Sequence, residues 1–183
     1  MILTKYQEAI FTVPTSRNRY DTHKVVMDYY SMGAPFDGRT FVYDVRVIND
    51  DMTAVTIRDT NLPDHFNPTN KAMEFKQGDC KEFMFSLNLV RRLNGKSIPV
   101  GCVDTFIKEK LTKAGWGDIS IESCDVYTVP AKKKQHSLKL CIGRTMIKAK
   151  VIDPEKASLG FMAGIGRARG FGVGTMMING GSL

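Results

Sequence analysis

Short runs in which apolar and polar side chains alternate fill most of this chain, and three stretches of helical spacing interrupt them. Residues 3–13 read as a strand, with Leu3, Tyr6 and the run from Ile10 to Val13 supplying the apolar weight. Ser16-Arg17-Asn18-Arg19 is a polar loop, and the spacing then predicts a helix over 20–31. Asn18 or Asp21 can cap it, Val25, Val26, Tyr29 and Tyr30 form its apolar face, and Gly33 ends it. Strands over 40–48 and 53–58 flank Asn49-Asp50-Asp51, a turn sequence that makes them a hairpin. Pro63 and Pro68 keep the next loop irregular. A short strand follows over 73–76, Gly78-Asp79 turns the chain, and a stronger strand runs over 81–90.

Asn94-Gly95 marks a further turn. A second helix is expected over 103–114, where Val103, Phe106, Ile107 and Leu111 recur at helical spacing and Gly115 and Gly117 close it. Long strands over 119–129 and 137–152 are joined by Pro130-Ala131-Lys132-Lys133-Lys134-Gln135. Asp153-Pro154-Glu155 opens a third helix, with proline at the first helical position. That helix runs into a glycine-rich loop, and a last strand covers 173–178. The order is β-α-β-β-(loop)-β and then β-α-β-β-α-β. The expected fold is therefore α+β, two tandem ferredoxin-like (βαββαβ, RRM-like) domains over residues 1–78 and 79–183. Each is small for an independent core, so the two are expected to pack together.

Composition changes this picture little. The chain has 183 residues, 43% of them apolar, which suits one large domain or two small ones. Its formal net charge of +7 admits a polyanionic partner without identifying one. No apolar run approaches the roughly 20 residues of a membrane span, so a cytoplasmic protein with no membrane partner is expected. Cys80, Cys102, Cys124 and Cys141 form no CxxC pair, and with His23, His65 and His136 they give no zinc-ligand spacing. Reduced thiols, no metal and no cofactor are expected. Cys80 and Cys141 fall in apolar strand runs, where a thiol packs as a small hydrophobe.

Candidate chemistry concentrates in three places. Gly164, Gly166, Gly170, Gly172 and Gly174, with Arg167 and Arg169 among them, make a loop suited to close backbone approach near a phosphate. It follows a helix and precedes a strand, the reverse of nucleotide-binding glycine loops. Tyr20 and His23, three apart early on the first helix, project from one face. Imidazole suits proton transfer near neutrality and a phenol can orient an oxygen. The same spacing also serves a histidine on the helix surface and a tyrosine packed on the loop. Lys132, Lys133 and Lys134 sit at the tip of the long hairpin with His136 just beyond, and Arg17 and Arg19 precede the tyrosine. Such a basic tip is either solvated or set against nucleic-acid phosphates. Arg91 and Arg92 carry a weaker claim of the same type.

The loop and the following Thr175-Met176-Met177-Ile178 resemble the C-terminal loop of the CRISPR-associated repeat-RNA endoribonucleases. The likeness is to the CasE subfamily that serves Cascade, whose loop has a GIGxAKxxGxGLL-like form; Arg169 takes the place of its lysine. Tyr20-Asp21-Thr22-His23 falls where that subfamily carries its catalytic histidine, in some members as a Tyr-x-x-His pair. Lys71-Ala72-Met73-Glu74-Phe75 through Phe83 to Arg92 resembles the segment linking the family's two domains, with Leu89-Val90 replacing the usual proline and Thr175 replacing a leucine.

The resemblance implies metal-independent cleavage of CRISPR repeat RNA, precursor to mature crRNA, by attack of a ribose 2′-hydroxyl on the adjacent phosphorus. A cyclic phosphate and a 5′-hydroxyl result, and the product stays bound in a Cascade-like effector complex. It implies His23 as general base or acid, its neutral form favoured by the nearby helix start, and Tyr20 as the orienting phenol. Arg17, Arg19, Lys132, Lys133, Lys134, His136, Arg167 and Arg169 become RNA contacts, and the glycine loop becomes an architectural element. A catalytically inactive hairpin-binding subunit has the same features, and an enzyme acting on a small nucleotide through the loop is a third reading.

Overall fold

The computed structural model describes residues 1–32, 40–94, 96–133 and 136–178, with the side chains of Lys133 and His136 outside that description. Four strands, β1 (Ile2–Pro14), β2 (Val42–Val47), β3 (Met52–Asp59) and β4 (Thr69–Phe75), form an antiparallel sheet in the order β2-β3-β1-β4. Helix α1 (Arg19–Tyr30) makes the crossover from β1 to β2. Asn18 caps it, its side-chain oxygen accepting the Tyr20 N–H, as its position before the apolar face predicts. The buried stripe is Thr22 and Val26, with Met27, Tyr29 and Tyr30 packed beside it, whereas Val25 is turned outward. The helix ends at Tyr30, and Gly33 lies outside the described residues. The proline-bounded loop contains one 3-10 turn, Asp64–Phe66, closed by Asn67 in the left-handed region.

The second sheet takes β5 (Cys80–Asn88), β8 (Trp116–Lys133), β9 (His136–Val151) and β10 (Met176–Ile178) in the order β10-β5-β9-β8, all antiparallel. Helices α2 (Val103–Lys113) and α3 (Pro154–Ala163) make its two crossovers. Asp153 caps α3 by accepting the Lys156 N–H, with Pro154 at the first helical position as its sequence predicts. Three expectations need correction. The strand over 81–90 breaks at Leu89, whose N–H goes to Cys141 O, and the chain then adds a hairpin of β6 (Val90–Leu93) and β7 (Lys96–Pro99). The last strand starts only at Met176, and ahead of it the Gly174 N–H donates to Ser86 O of β5 at 2.7 Å. Cys80, at the first position of β5, is exposed rather than packed as a small hydrophobe.

One buried cluster is shared by the two sheets, while Val26, Tyr43, Val55 and Ile57 belong to a separate one beneath α1. Phe161 of α3 meets Tyr6 edge-on at 5.2 Å and Phe75 at 5.5 Å, and Phe75 in turn meets Trp116 at 6.1 Å. Burying an aromatic side chain of this size contributes about 1.5–3 kcal/mol. Arg58 is the polar pivot of this contact and only 3% exposed. Its guanidinium lies 3.7 Å from the centroid of the Phe161 ring, pairs with Glu8 at 2.9 Å and donates to Met176 O at 3.1 Å. Lys71 pairs with the other Glu8 oxygen at 2.6 Å. Among the described residues no helix is long and apolar enough to cross a membrane.

Candidate functional site

The glycine-rich loop leaves α3 at Gly164 and folds against β2. Gly172, at φ +68°, lies where a Cβ would come within 2.5 Å of Val45 Cγ2 and 2.8 Å of the Tyr43 ring. Gly174, at φ +92°, faces the Ile165 carbonyl so closely that its own carbonyl accepts the Ile165 N–H at 2.7 Å. These two glycines therefore have a steric cause as well as a conformational one. The Thr175 hydroxyl donates to Tyr43 O at 2.8 Å and so ties the loop to β2.

This packing brings the loop to His23. The Tyr43 phenol, fully buried, donates to Gly170 O at 2.6 Å, and His23 Nδ1 lies 3.2 Å from the same phenol oxygen. A phenol has one proton, and here the carbonyl takes it. His23 Nδ1 is accordingly the donor to the phenol oxygen, which makes Nε2 the acceptor nitrogen of the neutral ring. Phe171 lies 5.5 Å from the imidazole and Tyr20 lies 6.2 Å away, ring centre to ring centre. His23 is half-buried and begins the second turn of α1, one residue further from the positive helix end than a helix starting at Tyr20 would place it.

Arg17 and Arg19 join Arg46 and Arg144 around a cleft of about 810 Å³ between the two sheets, with Val45, Met84, Tyr127 and Val129 as its apolar wall. Asp44 lies behind this wall, bonded to Arg144 at 3.3 Å. Burial pushes its carboxyl up from the usual value, against the opposing pull of Arg144 and Arg19. The basic hairpin is anchored here as well. Asn18 Oδ1 accepts the Lys132 N–H at 2.8 Å and Asn18 Nδ2 donates to Lys132 O at 3.1 Å, so one side chain caps α1 and holds β8.

The sequence-derived candidates thus separate. Tyr20, His23, Arg17, Arg19, Lys132 and Gly170 gather around the start of α1. Lys134 lies outside the described residues, as do the side chains of Lys133 and His136. Arg167 lines a different cavity, together with Gly166. Arg169 turns back to donate to Ala163 O at 2.7 Å, closing the end of α3. Tyr43, Arg46 and Arg144 were missed. Only Tyr43 left a trace, since a phenol in the alternating run Phe41, Tyr43, Val45 must be buried and so needs a polar partner.

The architecture is that of CRISPR endoribonucleases. Cse3 of Thermus thermophilus, bound to an RNA representing a pre-cleavage complex, matches with a TM-score of 0.69 and 16% identity over 96% of this chain and 99% of its own. Cas6e from Escherichia coli str. K-12 matches with 0.63 and 15% over 96% and 98%. A chain of a CRISPR RNA-guided surveillance complex matches with 0.69 and 12% over 96% and 98%. At these identities the likeness is one of fold. No family model and no curated protein sequence matches the chain.

Proposed function

We propose that this protein is a metal-independent endoribonuclease that binds a CRISPR repeat hairpin, cleaves precursor crRNA and retains the product within a Cascade-like effector complex in the cytoplasm. The observation that carries the reading is the chain His23–Tyr43–Gly170, which orients a histidine lying one helical turn after Arg19 of the arginine-lined cleft. It occurs in a fold shared with nucleases captured on RNA. We assign residues 1–78 and 79–183 as tandem ferredoxin-like units. In support, each sheet places its first strand between its third and fourth.

His23 Nε2 takes the proton of the 2′-hydroxyl as that oxygen attacks phosphorus in line. The bond from phosphorus to the 5′-oxygen breaks, leaving a cyclic phosphate, and the 5′-oxygen takes a proton from solvent. Tyr20 orients the attacking hydroxyl, and Arg17 and Arg19 offset the charge that builds on the phosphorane. Lys132 to Lys134 hold the stem through its phosphates, since the deep major groove of A-form RNA hides its base edges. The test is incubation with repeat RNA in EDTA. Cleavage should persist under chelation and fall about 10²–10⁴-fold in His23→Ala with binding intact. Binding without cleavage by the wild type would make the protein a hairpin-holding subunit instead.

A further inference from the structure

The start of the glycine-rich loop lines a second cavity, of about 250 Å³, which takes no part in the His23 site. Its walls carry Arg91 and Arg92 from β6, Lys110 and Lys113 from α2, and Arg167 from the loop. Glu109 is the one carboxylate among its described lining residues, and it is paired with Arg91 at 2.8 Å. Beneath lies Phe106, 4% exposed, with the Arg91 guanidinium and the Lys110 ammonium each 5.2 Å from its ring centre. An aromatic floor holds those two cations in place instead of leaving them to swing in water. A concave wall of one sign focuses potential onto a small volume.

A cationic wall alone names no ligand. Asn88, at the end of β5, adds the second feature: it is 6% exposed, lines the same cavity, and its Oδ1 is buried with no hydrogen-bond partner. Buried amide oxygens are nearly always satisfied, so one left open within a cationic pocket suits a ligand with both negative charge and a hydrogen-bond donor. A ribonucleotide unit has both, in its phosphate and its 2′-hydroxyl.

We propose that this cavity binds one nucleotide of the single-stranded RNA that flanks the hairpin, its phosphate set against Arg92, Lys113 and Arg167 and its 2′-hydroxyl donating to Asn88 Oδ1. The inference rests on the reading of the protein as a binder of repeat hairpins. The loop supplies the route, since Gly166 and Arg167 line this cavity while Gly170 accepts the Tyr43 phenol at the His23 site. An RNA strand leaving the scissile phosphate follows the loop from one to the other.

The test measures the salt dependence of binding for a repeat hairpin alone, with an oligouridylate tail at either end, and with the same tails in deoxyuridine. On wild-type protein a ribouridine tail at one end should tighten binding, and a deoxyuridine tail should do so less. The triple variant Arg92→Ala, Lys113→Ala, Arg167→Ala should lose that gain, its salt slope falling by about 0.7 for each phosphate released, while bare-hairpin binding is unchanged. Asn88→Leu should raise the melting temperature of the free protein and erase the difference between ribose and deoxyribose tails. A tail that adds nothing to the wild type, or a triple variant that weakens bare and tailed hairpins alike, overturns the proposal. So does adenosine monophosphate binding as tightly as the tail, which would make this a mononucleotide site. Failure of the wild type to bind any bare hairpin would instead strike the functional reading. Oligouridylate alone, with the same variants, would then still decide the cavity.

Discussion

Tyr43 donates its phenol proton to the Gly170 carbonyl across 127 positions of sequence, in a bond of 2.6 Å between fully buried ring and loop backbone. That bond does two things at once. It docks the glycine-rich loop on β2, and it leaves the phenol oxygen able only to accept from His23.

Tyr43→Phe should therefore separate docking from chemistry. The ring volume stays, so the fold and RNA affinity should persist, while the imidazole loses the partner that fixes its tautomer. We expect single-turnover cleavage to fall about 10- to 100-fold, less than in His23→Ala. A wild-type rate in Tyr43→Phe would remove Tyr43 from the site.

Gly174 and Gly78 share a φ of +92° but differ in surroundings, which makes them a matched pair. A Cβ at Gly78 meets nothing within 4 Å, so Gly78→Ala should cost only the backbone strain, about 1 kcal/mol. Gly174→Ala adds a collision with the Ile165 carbonyl and should cost about 3 kcal/mol. Equal denaturation midpoints for the two variants would show that the loop yields freely.

Glu8 ties stability to pH. Burial pushes its carboxyl up, but Lys71 and Arg58 outweigh that effect and hold it below the ordinary 4.5. A carboxyl lowered on folding contributes stability that is present above 4.5 and drains away as pH falls through its lower folded value. Glu8→Gln, which leaves Arg58 buried without its counter-ion, should cost about 3 kcal/mol at neutral pH. The gap to wild type should stay constant down to about pH 5 and close on further acidification. A gap that widens in acid would reverse the assignment.

Asn18 holds both the start of α1 and the Lys132 backbone. Asn18→Ala should cost about 1–2 kcal/mol of stability. It should also weaken RNA binding with no charge removed, because the basic tip loses its mooring. Replacing Lys132, Lys133 and Lys134 by alanine should weaken binding too, but with a flatter salt dependence. Identical salt slopes in these two variants would take the hairpin out of the interface.

Both sheets were legible in the sequence because alternation and turn residues are local signals. Asn49-Asp50-Asp51 marked the β2–β3 hairpin, and Asp153-Pro154 marked the start of α3. Val25 was misplaced because two adjacent valines both fit a helical stripe, and only packing against the sheet selects Val26. Arg58 and Glu8 carry no local sequence signal of burial. They are buried because α3 covers that face of the first sheet, a contact no local pattern encodes. For the site, Tyr20 and His23 were marked by their spacing. Tyr43 was not, since its partner lies far away in sequence and is a backbone carbonyl, which any residue supplies. Arg169 shows a use its charge did not signal, since its guanidinium donates to a carbonyl of its own chain.

The Arg58 guanidinium reaches Met176 O, and the Tyr43 phenol reaches Gly170 O. In translation His23 and Tyr43 leave the ribosome long before either acceptor exists. A nascent chain therefore carries its histidine and phenol without the loop carbonyl that takes the phenol proton, and ribosomal stalling or a stop codon ahead of Gly170 leaves a fragment in which nothing from the loop directs that proton. The order of synthesis itself withholds the finished site until nearly the whole of the second sheet has been made.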